Sequence, residues 1–543
     1  MESSEQTTAA GPAAAAGPSA TGRATPASMT TPDEVESRLG TLHFADGMPS
    51  ADTLEKVYDH LDFAHAFEAV LGALPWVNAH ALRRGLLEAG VKDDEFIVFP
   101  LLDAKSLIMT ANADTPFTVG YVDLSEGPMV LEAPPRVMGA VNDYGGGWVI
   151  DIGGSGPDRG LGGRYLLVPP GYDGPLPEGG FSVARARTSR VMVFGRVFLE
   201  GEDPAAAVGR LRDGFRVYPY TPGGVGTSFA SFLSGDAPLA PVAPPPETIF
   251  HDGGGKVMVG TPPTDFSFYE YLDEVVQQEA AGTLDPELMG HVAAIGIVKG
   301  RPFAPDDRMR RILGEAVTVA NAAARSLCMR PRDPGWYCYP DSAWMPLAIT
   351  IAGCDFETPP PLIEGPVRDG VRTPETVVVL PSTGYRALDL RTQLYYGYVG
   401  LSPASAMLVS GIGAQYIVAT VDADKQYFDG GRTYRLTLPR DIPAARFWSL
   451  TVYDSQTRCM LDTPQRYPRA GSQSHPSPAA EAGPDGSTSV WFAPGQPEGV
   501  PRGNWIQTLP GRSWFVMLRL YSPLEPFFDK TWRPGEIEEV PCR

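Results

Sequence analysis

Apolar and polar positions alternate most clearly near the C-terminus, where residues 446–454 and 514–521 each follow a period of two. In the first segment Phe447, Ser449, Thr451 and Tyr453 share one face, and Trp448, Leu450, Val452 and Asp454 share the other. In the second, Trp514, Val516, Leu518 and Leu520 make a wholly apolar face opposite Phe515, Met517, Arg519 and Tyr521. A strand with one apolar face buries it against a second layer, so both segments predict sandwich strands.

The same pattern organises the rest of the chain. Asp52 with Glu55 three residues later has the form of a capping box. Leu54, Val57, Tyr58, Leu61, Phe63, Phe67, Val70, Leu71 and Leu74 then recur at helical spacing up to Pro75. A second helix over 78–88 ends before Gly90, which predicts an αα-hairpin broken at the proline. Short apolar runs at 96–99, 117–122, 129–131, 148–152, 165–168 and 191–199, separated by Gly and Pro turns, predict a first antiparallel sandwich or barrel. Residues 204–218 predict a short helix, and 238–246 a Pro-rich bridge. Three helices follow over 268–279, 286–294 and 307–329, the last with Met309, Ile312, Leu313, Ala316, Ala320, Ala323 and Leu327 on one face. Beyond a loop-rich stretch, a helix or turn at 388–398 leads to strands at 415–422, 432–438 and 491–492 that complete a second sandwich with the two organising strands.

The predicted fold is therefore mainly β with helical additions: two β-sandwich domains joined by a helical block. The boundaries are a disordered tail over 1–40, a helical hairpin with the first sandwich over 41–235, the bridge and helical block over 236–330, and the second sandwich over 331–543. The first thirty residues are Ala, Gly, Pro, Ser and Thr with almost nothing to bury, so ordering them costs entropy without return.

Composition narrows the function class. The 543 residues exceed one core, and 60 Gly with 55 Pro between short apolar runs punctuate a turn-rich β protein. A net charge of −20 argues against nucleic acid and against an anionic membrane surface, both of which need clustered Lys and Arg. The 5 cysteines are odd in number and contain no C-x-x-C, so no disulfide framework is expected and a reducing compartment is the default. The chain shows neither a secretory n-region nor an apolar run of transmembrane length, which predicts a soluble, cytoplasmic protein.

Asn112-Ala-Asp-Thr115, Asp123-Leu-Ser-Glu-Gly-Pro128 and the segment from Gly163 to Gly171 resemble the bacterial domain of unknown function numbered 1254. The segment from Arg446 to Asp454, Asp485-Gly486, Asn504-Trp505, Leu518-Arg-Leu-Tyr521 and Trp532-Arg-Pro-Gly535 resemble the domain numbered 1214 that commonly follows it. With the intervening helical block the resemblance spans roughly residues 50–540. It implies two jelly-roll-like sandwiches and carries no settled activity.

Conventional chemistry is sparse. The 7 histidines form no H-E-x-x-H and no i, i+4 pair, so no metal site is expected. Gly153-Gly-Ser-Gly156 is followed by Pro157 rather than completing a nucleophile elbow, and Gly411-Ile-Gly413 lacks the third glycine of a dinucleotide loop, so no cofactor is read. Amide and aromatic clusters are the stronger signal. Asn112, Asp114 and Thr115 precede a strand, where such side chains either tie a turn or aim at a ligand. Tyr144 and Trp148 flank a triple glycine, either a close-approach loop for a ligand or a surface connection. In the second domain Trp448, Tyr453, Asp454, Asn504, Trp505, Arg519 and Tyr521 offer stacking area with polar tips, suited either to a pocket or to a sandwich core.

The functional expectation is a small-molecule-binding protein or a cofactor-independent, hydrolase-like enzyme with a polar, aromatic-lined pocket in one sandwich or between them. As an enzyme it would use Asp114 or Asp454 as general acid or base, with Asn504 and Arg519 orienting substrate or stabilising charge. The alternative is a non-catalytic binding or assembly module whose aromatics are core. A homo-oligomer is compatible with both.

Overall fold

The computed structural model describes residues 25–177, 179–199, 203–221, 246–346, 386–400, 410–411 and 413–541, with the backbone of four short strands between 361 and 379. The predicted bridge at 238–246 lies outside the described residues except for Pro246. Two compact units divide the chain after His65. Within the first, Glu34–Ser37, Gly40–Ala45 and Met48–Pro49 form a small antiparallel sheet, so the expected tail ends before residue 34. A two-residue turn closes the first hairpin, and Gly40 takes the left-handed φ of +88° that a β-carbon would disfavour there.

Ala51–Glu88 is one helix with Pro75 inside it, which corrects the expected hairpin. Proline removes one backbone donor, at a cost of about 3 kcal/mol. Here the flanking Ala73, Leu74, Trp76, Val77, Ala79 and Leu82 are all buried, and that packing carries the helix through.

The second unit holds both sandwiches. In the first, a six-stranded sheet runs Phe250–Asp252, Phe96–Phe99, Phe117–Asp123, Arg190–Arg196, Met138–Asp143, Trp148–Gly153. It faces a four-stranded sheet ordered Ser182–Arg185, Gly163–Val168, Met129–Ala133, Arg216–Pro219. Alternate residues of both sheets, among them Phe96, Val98, Val122, Val141, Val191 and Val193 against Leu131, Tyr165, Leu167 and Val217, make one core. The helix expected over 204–218 is Ala205–Gly214, and the chain then turns directly into the edge strand Arg216–Pro219.

The second sandwich repeats the plan with a longer centre. Trp344–Pro346, Ala414–Ala419, Ser513–Pro523, Ala444–Asp454 and Arg469–Gly471 lie in that order, and Phe428–Asp429 also pairs with Ser513–Pro523. Trp505–Gln507, Thr488–Ala493, Tyr434–Leu438 and Ile537–Glu539 form the facing sheet. The apolar faces read from the sequence meet there: Trp448, Leu450 and Val452 with Trp514, Val516, Leu518 and Leu520. Both sandwiches are antiparallel at their centres, with parallel edge pairs such as Phe96–Phe99 with Phe250–Asp252 and Thr488–Ala493 with Trp505–Gln507.

The helices Ser267–Gln278, Pro286–Ala294 and Asp307–Met329 form the expected block. Asp306 caps the last by accepting from the Met309 amide at 2.8 Å. Ile312, Ala316, Ala320 and Ala324 are a buried i, i+4 row, flanked by buried Leu313 and Val317, that bypasses the expected Ala323. Leu388–Gly397 is a further helix, buried along nearly its whole length.

Candidate functional site

The faces of Ala444–Asp454 and Ser513–Pro523 that turn away from their own core do not meet solvent. Phe447, Ser449, Thr451, Tyr453, Phe515, Met517, Arg519 and Tyr521 are all buried. What covers them includes the segment over residues 100–116 of the first sandwich, which runs from the strand Phe96–Phe99 to the strand Phe117–Asp123.

Asp114 is the anchor of this seam. Fully buried, its carboxylate accepts from Arg469 Nε at 2.8 Å, Ser449 Oγ at 2.6 Å and Tyr521 OH at 3.2 Å. Asn112 ties the preceding turn, accepting from the Asp114 amide at 2.5 Å and donating through Nδ2 to Tyr521 OH at 2.5 Å. Two residues before Tyr521 on the same strand, Arg519 donates to the Thr110 carbonyl at 2.9 Å, the Ala111 carbonyl at 3.3 Å and Tyr453 OH at 2.5 Å, and its other terminal nitrogen donates to Thr451 Oγ1 at 3.0 Å. A second ion pair, Arg466 with Asp103 at 2.9 Å, closes the edge of the seam.

Beside this network lies a cavity of about 140 Å³. Leu82, Leu102, Ile108, Phe117, Val119, Met192 and Phe194 form its apolar wall, and Asn112, Arg196, Tyr398, Tyr416 and Arg519 its polar end. Arg196 ends the strand face that carries Arg190, Met192 and Phe194, and donates to Tyr416 OH at 3.0 Å. Its role was missed from the sequence, although a cation at the end of an apolar period-two face was the available signal. Tyr398 and Tyr416 were missed as well; Tyr398 follows the helix Leu388–Gly397 and Tyr416 lies within the strand Ala414–Ala419, neither of which carries a recognisable motif.

Of the residues singled out in the sequence, Asn112, Asp114, Tyr453, Arg519 and Tyr521 converge here. The others serve elsewhere. Asp454 Oδ1 accepts the amides of Gln456 and Thr457 at 2.8 and 2.9 Å and fixes a turn. Asn504 bonds the backbone of Glu481 and Ser489, and Trp505 Nε1 donates to the Ala493 carbonyl at 3.0 Å. Trp448 belongs to the core of the second sandwich, and Trp148 Nε1 donates to Asp151 at 3.0 Å. The triple glycine admits close neighbours of the protein's own: a β-carbon on Gly145 would stand 2.6 Å from the Trp76 ring, and one on Gly146 2.9 Å from Tyr395.

Tyr144 enters a separate buried network. His80 is 1 % exposed, with Nδ1 2.8 Å from Tyr144 OH and Nε2 2.8 Å from Glu274, whose other oxygen pairs with Arg84 at 2.8 Å. Burial drives the imidazole down to about 4 against the opposing pull of Glu274. A neutral ring that accepts from the phenol and donates to the carboxylate satisfies all three groups. The unfolded chain takes up a proton below the ordinary histidine pKa of about 6.5 and the folded chain does not. Stability is therefore expected to fall by about 3 kcal/mol as pH drops from about 6.5 to about 4. Asp94, raised to about 6 by burial and by Asp93 and Asp123, acts with the opposite sign, losing stability as pH rises. Urea unfolding of the wild type and His80→Gln at pH 7 and pH 4.5 isolates the histidine: the variant should lose markedly less stability on acidification, and equal losses would refute the assignment.

Burial keeps the other candidate nucleophiles protonated. It raises Tyr453 to about 12, the Cys338 and Cys459 thiols to about 12 and the Cys328 thiol to about 11. These three cysteines are free. Among the described residues, no group of three or more His, Cys, Asp or Glu side chains is placed to hold a metal, and no helix is long and apolar enough to cross a membrane.

Residues 94–219 match the family described as protein of unknown function DUF1254, and residues 413–525 match protein of unknown function DUF1214. The chain carries both domains. The DUF1254 span contributes Asn112, Asp114 and Arg196 to the seam, and the DUF1214 span contributes Tyr416, Arg469 and Arg519. No curated protein matches the chain. Among solved structures, the VPA0106 protein from Vibrio parahaemolyticus is similar at 16 % identity and a TM-score of 0.48, covering 88 % of this chain and 100 % of its own. An uncharacterized protein from Burkholderia cenocepacia is similar at 12 % identity and a TM-score of 0.36, covering 89 % of this chain and 96 % of its own.

Proposed function

We propose that the chain is a small-molecule-binding protein whose ligand occupies the cavity between the DUF1254 and DUF1214 sandwiches. The observation that carries this reading is the cavity's construction: an apolar wall ending in a few convergent polar groups at a joint between two domains, the usual form of a binding site. An apolar cavity of about 150 Å³ is large enough for benzene, so the expected ligand is a ring or a short chain of that order. Asp114 acts here as a positioning residue, because it fixes Asn112 and Tyr521 rather than facing the cavity. Its three donors leave it committed to the seam, and Asp454 is committed to its turn, which favours binding over hydrolysis by these carboxylates.

Ile108→Trp should fill the cavity from the segment over residues 100–116 while leaving the two cores intact. Ligand binding only to the folded state adds about 2.7 kcal/mol at a hundredfold excess over Kd. Screening small aromatic and aliphatic compounds by denaturation should find compounds that stabilise the wild type in this way and leave Ile108→Trp unaffected. Equal stabilisation of both proteins would place the binding elsewhere and overturn the reading.

A further inference from the structure

Resting on the reading of the seam cavity as a binding site, we infer that its ligand is a small organic carboxylate, held by Arg196 and Arg519 with its apolar body against the opposite wall. The argument is one of charge. Two carboxylates are buried at the seam, and each has its own cation: Asp114 has Arg469 and Asp103 has Arg466. Three cations remain at the seam: Arg458, which donates to neutral acceptors and lies off the cavity, and Arg519 and Arg196, which line it. Arg519 is 1 % exposed, and every acceptor it meets is neutral: two carbonyls and two hydroxyls. Arg196 meets the hydroxyl of Tyr416. Neither forms an ion pair with a carboxylate among the described residues, and the Nε atom of each is buried with no hydrogen-bond partner.

A guanidinium in a low-dielectric interior is costly unless paired, by several kcal/mol after relaxation. The rings of Tyr416 and Tyr453 lie 5.2 and 5.6 Å from the Arg519 carbon, and such contacts return roughly 0.5–2 kcal/mol. The balance is a site short of one anion. Both cations adjoin the same Tyr416, one at its hydroxyl and one over its ring, so a single anionic group at that end answers both. A planar carboxylate matches the guanidinium fork. Tyr398 lines the same cavity, is held protonated by burial and adds a further hydroxyl donor. The Leu82, Phe117 and Phe194 wall leaves nothing to solvate a fully oxygenated anion, which excludes inorganic phosphate in favour of a carboxylate with an apolar body.

Calorimetric titration of the full chain at pH 7.5 with benzoate and hexanoate, against benzyl alcohol, hexan-1-ol and inorganic phosphate, tests this. At least one carboxylate should bind about tenfold or more tightly than its alcohol, with phosphate weaker than either. Arg196→Gln should lower that carboxylate's affinity about tenfold and erase most of its preference over the alcohol. Arg519→Met should do the same where it folds, and the Arg196 result stands without it. Alcohols binding as tightly as carboxylates, or phosphate binding as tightly, would overturn the carboxylate assignment and leave the cavity reading in place. Failure of all the organic probes to bind would overturn both.

Discussion

Asp114→Asn is expected to destabilise the protein by about 3–5 kcal/mol, the usual cost of removing one partner of a buried ion pair. The neutral amide still accepts from Ser449 and Tyr521, so most of the hydrogen-bond geometry at 2.6 and 3.2 Å survives. What is lost is the charge opposite Arg469, a residue itself fully buried whose other acceptors among the described residues are Ser477 Oγ and the His475 carbonyl. The penalty is that of an uncompensated guanidinium. It follows that Arg469→Met combined with Asp114→Asn should recover a large part of the loss, because the double variant no longer buries an unpaired charge. Urea unfolding of the two single variants and the double variant gives the coupling directly. A cost below about 1 kcal/mol for Asp114→Asn would show that the seam tolerates the charge and that the pair is not its anchor.

Trp514→Ala is expected to cost a similar amount, about 3–5 kcal/mol, for a different reason. Its ring stacks on Phe428 at 4.1 Å and on Phe492 at 4.9 Å, with Tyr434 edge-on at 5.6 Å, so alanine leaves a cavity walled by three aromatics. The indole N–H is buried without a partner among the described residues, and the loss is therefore one of packing rather than hydrogen bonding. Trp514→Phe keeps most of the stack and removes that unsatisfied donor, so it should cost far less than alanine. Near-equal costs for the two variants would contradict this account of the core.

Trp514 also marks what the sequence makes legible. A period of two places Trp514, Val516, Leu518 and Leu520 on one face, and all four lie in one core with Trp448, Leu450 and Val452. The opposite faces were equally visible, with Ser449, Thr451, Tyr453, Arg519 and Tyr521 in register. Their mixed polarity is that of a surface, and only the tertiary structure shows it covered. The reason is distance along the chain: Asp114 and Arg469 are separated by 355 positions, and no local periodicity pairs them. The Asn112–Thr115 motif was legible as a tied turn or a ligand contact, and nothing in it named the seam or its partner. The aromatic signal was less selective, since Trp448, Trp505 and Asn504 have the same polar-tipped character and fill a core or tie backbone. Pro75 misled for a related reason: its local cost is fixed, whereas the packing that outweighs it is assembled from the whole fold.

Diffraction from crystals soaked separately in 4-bromobenzoate and 4-bromobenzyl alcohol tests the central claim most directly, because bromine can be located by its anomalous signal. The account predicts a bromine peak from at least one compound inside the cavity, near Leu82, Phe117 and Phe194, with the polar substituent turned toward Arg196 and Arg519. Bromine found only outside this cavity, or in neither crystal, would contradict it.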